Sequence, residues 1–370
     1  MTPLLVRLDP LKIALALLIL SRPFCAPAQE YSVGGQTAPS PQAPAAQKQA
    51  APKQGDQQLG WGSNIQNARL GRAAELALKQ GNRVQALEFA RKASQAAPND
   101  PQLWFLLGYA ARLNGSLQES ANAYGKGLKI TPSSLEGQSG LAQTYAQQNR
   151  ADEAQKLLHE IVEKDPRRRG DTLLLGELYM RAGDFNTAVD WLGKAERMGS
   201  EARSELLLAI SYQRLNQMDQ ANHYLQLAEK HAPDNPEVRR SMAGYYRESG
   251  NYDQAIDALK SIRNPKPDVV AELAYTYQLA GKPSDSARLY TQAANALPKD
   301  ITLQLSAAQA EVAIGAIDQA NSFLDRAAKI DSNQYRLHAI RGEVARIQEH
   351  NEDAVKEYNI ALANLPKEPT

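Results

Sequence analysis

Cysteine is almost missing: Cys25 is the only one in 370 residues. A disulfide framework and a battery of thiol chemistry are thereby excluded. Long apolar runs are missing too. Ile13 to Leu20 (IALALLIL) is an unbroken run of only eight, against the ~20 residues that a bilayer-spanning helix needs. Charge of one sign is not in excess. The formal net charge is +1 with 22% charged residues, so nothing draws the whole chain toward nucleic acid or anionic lipid. Phe (5) and Trp (3) are scarce, whereas Tyr occurs 15 times, a bias that needs an explanation.

What is present begins with a targeting pattern at residues 1–28. Arg7 and Lys12 precede the apolar run, and Ala26-Pro27-Ala28 supplies the small-x-small site before Gln29, which reads as a secretory signal peptide. Asp9 and Arg22 depart from the ideal pattern, which leaves a short retained anchor as the alternative. Lipidation at Cys25 would need small or leucine-type residues where Arg22-Pro23-Phe24 stand. Cleavage before Gln29 would leave no cysteine. Residues 29–66 are rich in Ala, Pro, Gln, Gly and Lys, with too few large apolar side chains to offset the entropy of ordering, and are expected to be a disordered linker.

From residue 67 the sequence repeats with a period near 34. Nine units span 67–100, 101–134, 135–168, 169–201, 202–235, 236–266, 267–300, 301–334 and 335–368. The eighth residue is always small (Ala74, Gly108, Ala142, Gly176, Ala209, Ala243, Ala274, Ala308, Gly342). So is the twentieth (Ala86, Ser120, Ala154, Ala188, Ala221, Ala255, Ser286, Ala320, Ala354). Two small positions twelve apart suit a tight helical hairpin, whose helices approach closely only where side chains are nearly absent. Gly81, Gly115, Gly183, Gly250, Gly281 and Gly315, with Asn149 and Asn216, mark the turn inside the hairpin. Pro98, Pro132, Pro166, Pro233, Pro298 and Pro366 mark the stop after it. Tyrosine fills position eleven in five units (Tyr145, Tyr179, Tyr212, Tyr246, Tyr277) and position twenty-four in three (Tyr124, Tyr290, Tyr358), which accounts for its excess.

This pattern resembles the tetratricopeptide repeat (TPR) family, most completely in Trp104, Leu107, Gly108, Gly115, Tyr124 and Pro132. The resemblance implies an all-α fold, a right-handed superhelical solenoid of about nine hairpins. Departures fall in the first unit, which is Ala-rich, and in the last, where Arg341 and Ala345 replace the usual Leu and Tyr. Two junctions are irregular: RMGSEARS after the fourth unit and IRNPKPD after the sixth. The last helix, near Ala354 to Leu362, is expected to leave an apolar flank open to a partner or to self-association.

Catalytic patterns fail. His159-Glu160 opens a zinc-protease-like pattern, but Glu163 holds the place of its second histidine. The five histidines are scattered and are expected on helix surfaces. Gly137-Gln138-Ser139-Gly140 lacks the spacing and the strand-to-helix setting of a nucleophile elbow. No phosphate loop is present. Neither enzyme, metal nor cofactor is expected. The basic run Lys164, Arg167, Arg168, Arg169 lacks interleaved aromatics, so a solvated loop is expected there rather than a nucleic-acid contact.

The resemblance places function on the concave face, lined by the first helix of each hairpin at positions two, five, nine, twelve and thirteen. These are Phe105, Tyr109, Arg112, Leu173, Met180, Arg181, Arg203, Leu206, Ile210, Arg214, Arg240, Arg247, Tyr275 and Leu279. Arginine among apolar and aromatic groups suits a peptide carrying carboxylates. Two other readings stand beside it. Glu177, Glu205, Glu237 and Glu248 could neutralise the arginines and leave a solvated face, or Phe105, Tyr109, Tyr245 and Tyr275 could stack on an exported polysaccharide. The Lys and Asn with which chaperone-binding relatives clamp carboxylates are absent from positions five and nine. The reading reached is a non-enzymatic interaction scaffold in the periplasm, or outer-membrane associated or secreted. By resemblance, the roles implied lie in assembling secretion, pilus, polysaccharide-export or outer-membrane complexes.

Overall fold

A computed structural model describes residues 65–365. The signal-like segment, most of the linker and Pro366 lie outside the described residues. Those residues form eighteen helices: α1 (Ile65–Lys79), α2 (Arg83–Ala96), α3 (Pro101–Leu113), α4 (Leu117–Ile130), α5 (Leu135–Gln147), α6 (Ala151–Lys164), α7 (Arg169–Arg181), α8 (Phe185–Met198), α9 (Ala202–Arg214), α10 (Met218–His231), α11 (Pro236–Glu248), α12 (Tyr252–Lys260), α13 (Pro267–Leu279), α14 (Pro283–Ala296), α15 (Ile301–Ala313), α16 (Ile317–Ile330), α17 (Tyr335–Ile347) and α18 (Asn351–Ala363). No strand occurs among the described residues. The helices fall into two compact units divided at Gly199 and Ser200, within the irregular RMGSEARS junction. Four hairpins, α1/α2 to α7/α8, belong to the first and five, α9/α10 to α17/α18, to the second. Each unit is an all-α solenoid in which consecutive helices pack as antiparallel pairs.

The local chemistry of one hairpin shows why the chain folds so. Asp100 caps α3 by accepting from the Gln102 amide at 2.9 Å, and Pro101 sits at the first helical position, where no amide hydrogen is needed. Gly115, at φ +81°, ends α3 in the left-handed region. The Ser116 amide then donates back to the Ala111 carbonyl (2.9 Å), which satisfies the last turn. Asn149 and Asn216 take the same backbone, at φ 61° and 58°, and in the ninth hairpin Glu349 does so at 62°.

The two small positions lie in the contact between paired helices. Ala74, Ala142, Ala243, Ala274 and Ala308, with Ala86, Ala154, Ala188, Ala221, Ala255 and Ala320, have no exposure at all. Larger residues at position twenty-four close over them: Tyr124, Leu158, Leu192, Leu225, Leu259 and Leu324 are each at most 2% exposed.

A second rule was not legible in the family pattern. In four units the fourth residue donates to the main-chain carbonyl six residues earlier, Trp104 to Pro98 (2.8 Å), Gln138 to Pro132 (2.9 Å), Arg239 to Pro233 (3.0 Å) and His338 to Ser332 (2.9 Å), while Gln304 reaches back ten residues to Ala294 (2.8 Å). The inter-hairpin turn is thus fastened by a side chain whose only requirement is a donor. His338 is therefore buried, not on a helix surface as expected, and its other nitrogen meets Glu357 at 2.6 Å.

The irregular stretches have local explanations. Arg169 donates to the carbonyls of Gly199 (2.7 Å) and Ala195 (3.2 Å), capping the end of α8 where no proline stops the helix. Arg168 pairs with the buried Asp171 at 2.6 Å. Two members of the basic run are thus structural, while Arg167 is largely exposed. Around IRNPKPD the second helix, α12, is shortened to nine residues.

Candidate binding face

The first helices of successive hairpins, α3, α5 and α7 in one unit and α9, α11 and α13 in the other, carry the residues expected to line a groove. The structure divides them by exposure. Phe105 (1% exposed), Tyr109 (7%), Arg112 (8%), Met180 (5%) and Tyr275 (5%) are buried. Leu173 and Leu206 are buried as well, Arg203, Ile210, Arg240, Arg247 and Leu279 are partly so, and Arg181 and Arg214 are exposed.

Phe105 is packing rather than platform. Its ring stacks on Tyr124 with centroids 6.2 Å apart and closes against Gly127 and Gly137. Tyr124 in turn fills the space that a side chain on Gly140 would occupy. The Gly137-Gln138-Ser139-Gly140 stretch thereby acquires a packing role, because glycine lets two aromatic rings approach the α5 backbone. Arg112 completes this cluster, with its guanidinium 5.4 Å from the Tyr109 ring and its charge acting on the Tyr124 hydroxyl. Burial pushes the Tyr124 phenol up to about 12.

In the second unit the sequence-expected residues do meet. Arg240 on α11 forks onto Glu272 of α13, with both Nε–O distances 3.1 Å, and reaches Asp268 at 3.4 Å. Two turns further along α11, Arg247 donates to the Thr276 hydroxyl at 3.3 Å. Burial lowers the Arg247 pKa, while the neighbouring Glu272 and Tyr275 draw it back up. Arg240 and Arg247 therefore bridge two consecutive first helices.

Neutralisation follows the acidic residues that the sequence suggested only in part. Arg181 pairs with Glu177 on its own helix. Glu205 instead meets His231 and Ser200, each at 2.7 Å. For Arg240, Glu237 stands off at 3.7 Å and the close partner is Glu272. Glu272 and the analogous Ser139–Asp171 bond of the first unit (2.5 Å) each join residues 32 apart. The signal available was an acid inside an apolar helical stretch, about one repeat away from its partner. Single-helix periodicity does not look that far.

On α18, Val355 and Leu362 are 60% and 65% exposed. Leu87 and Ile256, at the place of Val355 in their own units, are 4% exposed. The last described hairpin thus shows an apolar flank that other hairpins bury.

Stacked antiparallel hairpins with a 34-residue period, paired small positions and bridged first helices define a helical-repeat protein. The chain belongs to the tetratricopeptide repeat family. Models described as tetratricopeptide repeat match residues 111–174 and 212–276, and 72–134. A model of the anaphase-promoting complex, cyclosome, subunit 3 matches residues 147–228.

Two curated proteins are similar over part of the chain. The poly-beta-1,6-N-acetyl-D-glucosamine export protein of Escherichia coli (strain K12) is 30% identical over 170 residues, 44% of this chain and 21% of that protein. Cellulose synthase operon protein C of Xanthomonas axonopodis pv. citri (strain 306) is 29% identical over 216 residues, 55% and 14% respectively. The chain thus spans about a fifth or less of the length of these relatives. A tetratricopeptide repeat protein from Parabacteroides merdae ATCC 43184 superposes with a TM-score of 0.55 at 15% identity, covering 67% of this chain and 99% of its own, a likeness of fold. No described helix is long and apolar enough to cross a membrane.

Proposed function

We propose that the chain is a non-enzymatic scaffold of the bacterial cell envelope that holds a protein or peptide partner against the first helices of its hairpins. The observation that carries this reading is the Arg240–Glu272 bridge, with Arg247 and Leu279 on the same two helices. Such a bridge fixes the facing helices before a partner arrives, which lowers the ordering cost of binding. In the second unit the exposed Arg214 is the residue offered to a partner's carboxylates, and Leu279, partly exposed, offers apolar contact. The signal-like residues 1–28 support export to the periplasm, and the two polysaccharide-related relatives support an envelope setting. The apolar flank of α18 is a second contact surface, for self-association or for a partner.

A second reading, a module that guides an exported polysaccharide, is favoured by the same relatives. On the first-helix face it has lost most of its stacking rings to the core, and Tyr245 is the one that keeps surface.

The test is cross-linking and capture from the native envelope fraction, comparing the full chain with Arg214→Glu/Leu279→Asp. Both substituted side chains have solvent contact, and circular dichroism checks that helicity is kept. A specific envelope protein captured by the parent and lost with the variant supports the scaffold. Equal capture removes this face from the binding site. Displacement of the captured partner by oligosaccharide, with sensitivity to Tyr245→Ala, favours the second reading.

A further inference from the structure

A depression in the first unit lies away from the first-helix face, over the second helices α6 and α8. It has a volume of about 380 Å³, within the ~300–1,000 Å³ range of ligand sites. Trp191 forms its wall, with the His159 ring edge-on at 5.3 Å and the Lys194 ammonium 3.7 Å above the indole. Pro166, Val162 and Met198 make the rest mainly apolar, and the exposed Glu163 stands on the lining.

From this lining we infer a binding site for a proline-rich peptide with a basic flank, distinct from the first-helix face and independent of the scaffold reading. Three observations select that ligand. With a volume of about 380 Å³, the depression would hold less than one turn of an α-helix ~10–12 Å across with side chains. A β-strand finds no open edge, because the surrounding main chain is helical and bonded to itself. A polyproline II segment needs no main-chain pairing and presents flat pyrrolidine rings to aromatic walls.

The polar groups point the same way. His159 Nε2 is engaged by the Tyr179 hydroxyl (2.8 Å), and the Thr172 hydroxyl donates to the Arg168 carbonyl (3.0 Å). That leaves Lys194 to donate to a peptide carbonyl and Glu163 to pair with a basic residue. A sugar ring would need more convergent polar groups than these. The Lys194 ammonium, on a flexible stem, is the part that a proline ring would displace from the indole.

The chain's own sequence offers a probe of this composition, residues 38–53 (APSPQAPAAQKQAAPK). Fluorescence anisotropy would measure a labelled synthetic peptide of that sequence against the full chain carrying Ser at positions 39, 41, 44 and 52, so that no prolines in cis compete. Saturable binding is expected, lost when the peptide prolines are Ala, weakened at least tenfold by Trp191→Ala and several-fold by Glu163→Lys. Since Trp191→Ala removes packing, the surface change Glu163→Lys keeps the inference testable if that variant unfolds. Absence of binding at millimolar peptide, or binding indifferent to both substitutions, would overturn it. So would perturbation of Trp191 fluorescence by N-acetylglucosamine oligomers without any by peptide, which would assign the depression to glycan.

Discussion

The ring of Tyr124 lies where a side chain on Gly108 would have to go: a β-carbon placed there would come within 2.7 Å of the ring's Cδ2 atom. The same relation, across sixteen residues, joins Gly176 to Leu192 and Gly342 to Tyr358, each also at 2.7 Å. Position eight is small because position twenty-four is large, and the pair sets how closely the two helices of a hairpin approach.

Gly108→Ala should accordingly destabilise the fold by about 1–3 kcal/mol through overpacking. Urea titration followed by circular dichroism would show it. Combining it with Tyr124→Leu, which makes room, should recover part of the loss, a non-additivity expected only of residues in contact. Additive losses would mean that the two positions do not press on each other.

Tyr124 also sets a pH dependence. Its phenol, ordinarily near 10, is raised to about 12 by burial. A folded pKa above the unfolded one gives stability that is whole below pH ~10 and falls as pH rises toward 12, by up to about tenfold in the folding constant per pH unit. Tyr124→Phe should flatten that alkaline decline, read from urea midpoints between pH 9 and 12.

Arg240 and Glu272 should behave as a unit. Arg240→Met leaves a carboxylate buried on α13 without its close partner and should cost about 3–5 kcal/mol, whereas adding Glu272→Met should restore most of it. Thermal melts of the four members of the cycle decide this. Little effect of Arg240→Met alone would mean that the bridge is not structural.

The ninth hairpin turns on Glu349 at φ 62°, where most others use Gly or Asn. A left-handed residue with a β-carbon costs roughly 1–2 kcal/mol, partly offset by the extra freedom that Gly gives the unfolded chain. Glu349→Gly should therefore stabilise the terminal hairpin by about 0.5–1 kcal/mol, seen as slower amide hydrogen exchange in α18.

The fold class and the hairpin chemistry could be read from the amino-acid order alone. Small residues at positions eight and twenty, left-handed turn residues and capping prolines act over one or two helical turns or one repeat, and repetition makes them legible without coordinates. Which first-helix residues keep a surface emerged from the packing of one hairpin on the next. Phe105, Tyr109 and Tyr275 obey the spacing of a groove face, yet burial depends on the neighbouring hairpin: Gly127 and Gly137, one or two elements away, are what enclose Phe105. The bridges of Arg240 to Glu272 and Ser139 to Asp171, and the Trp191 depression, likewise arise where successive hairpins meet. Packing between repeats depends on pairs of residues about a full period apart, and a periodicity read along one helix holds no term for them.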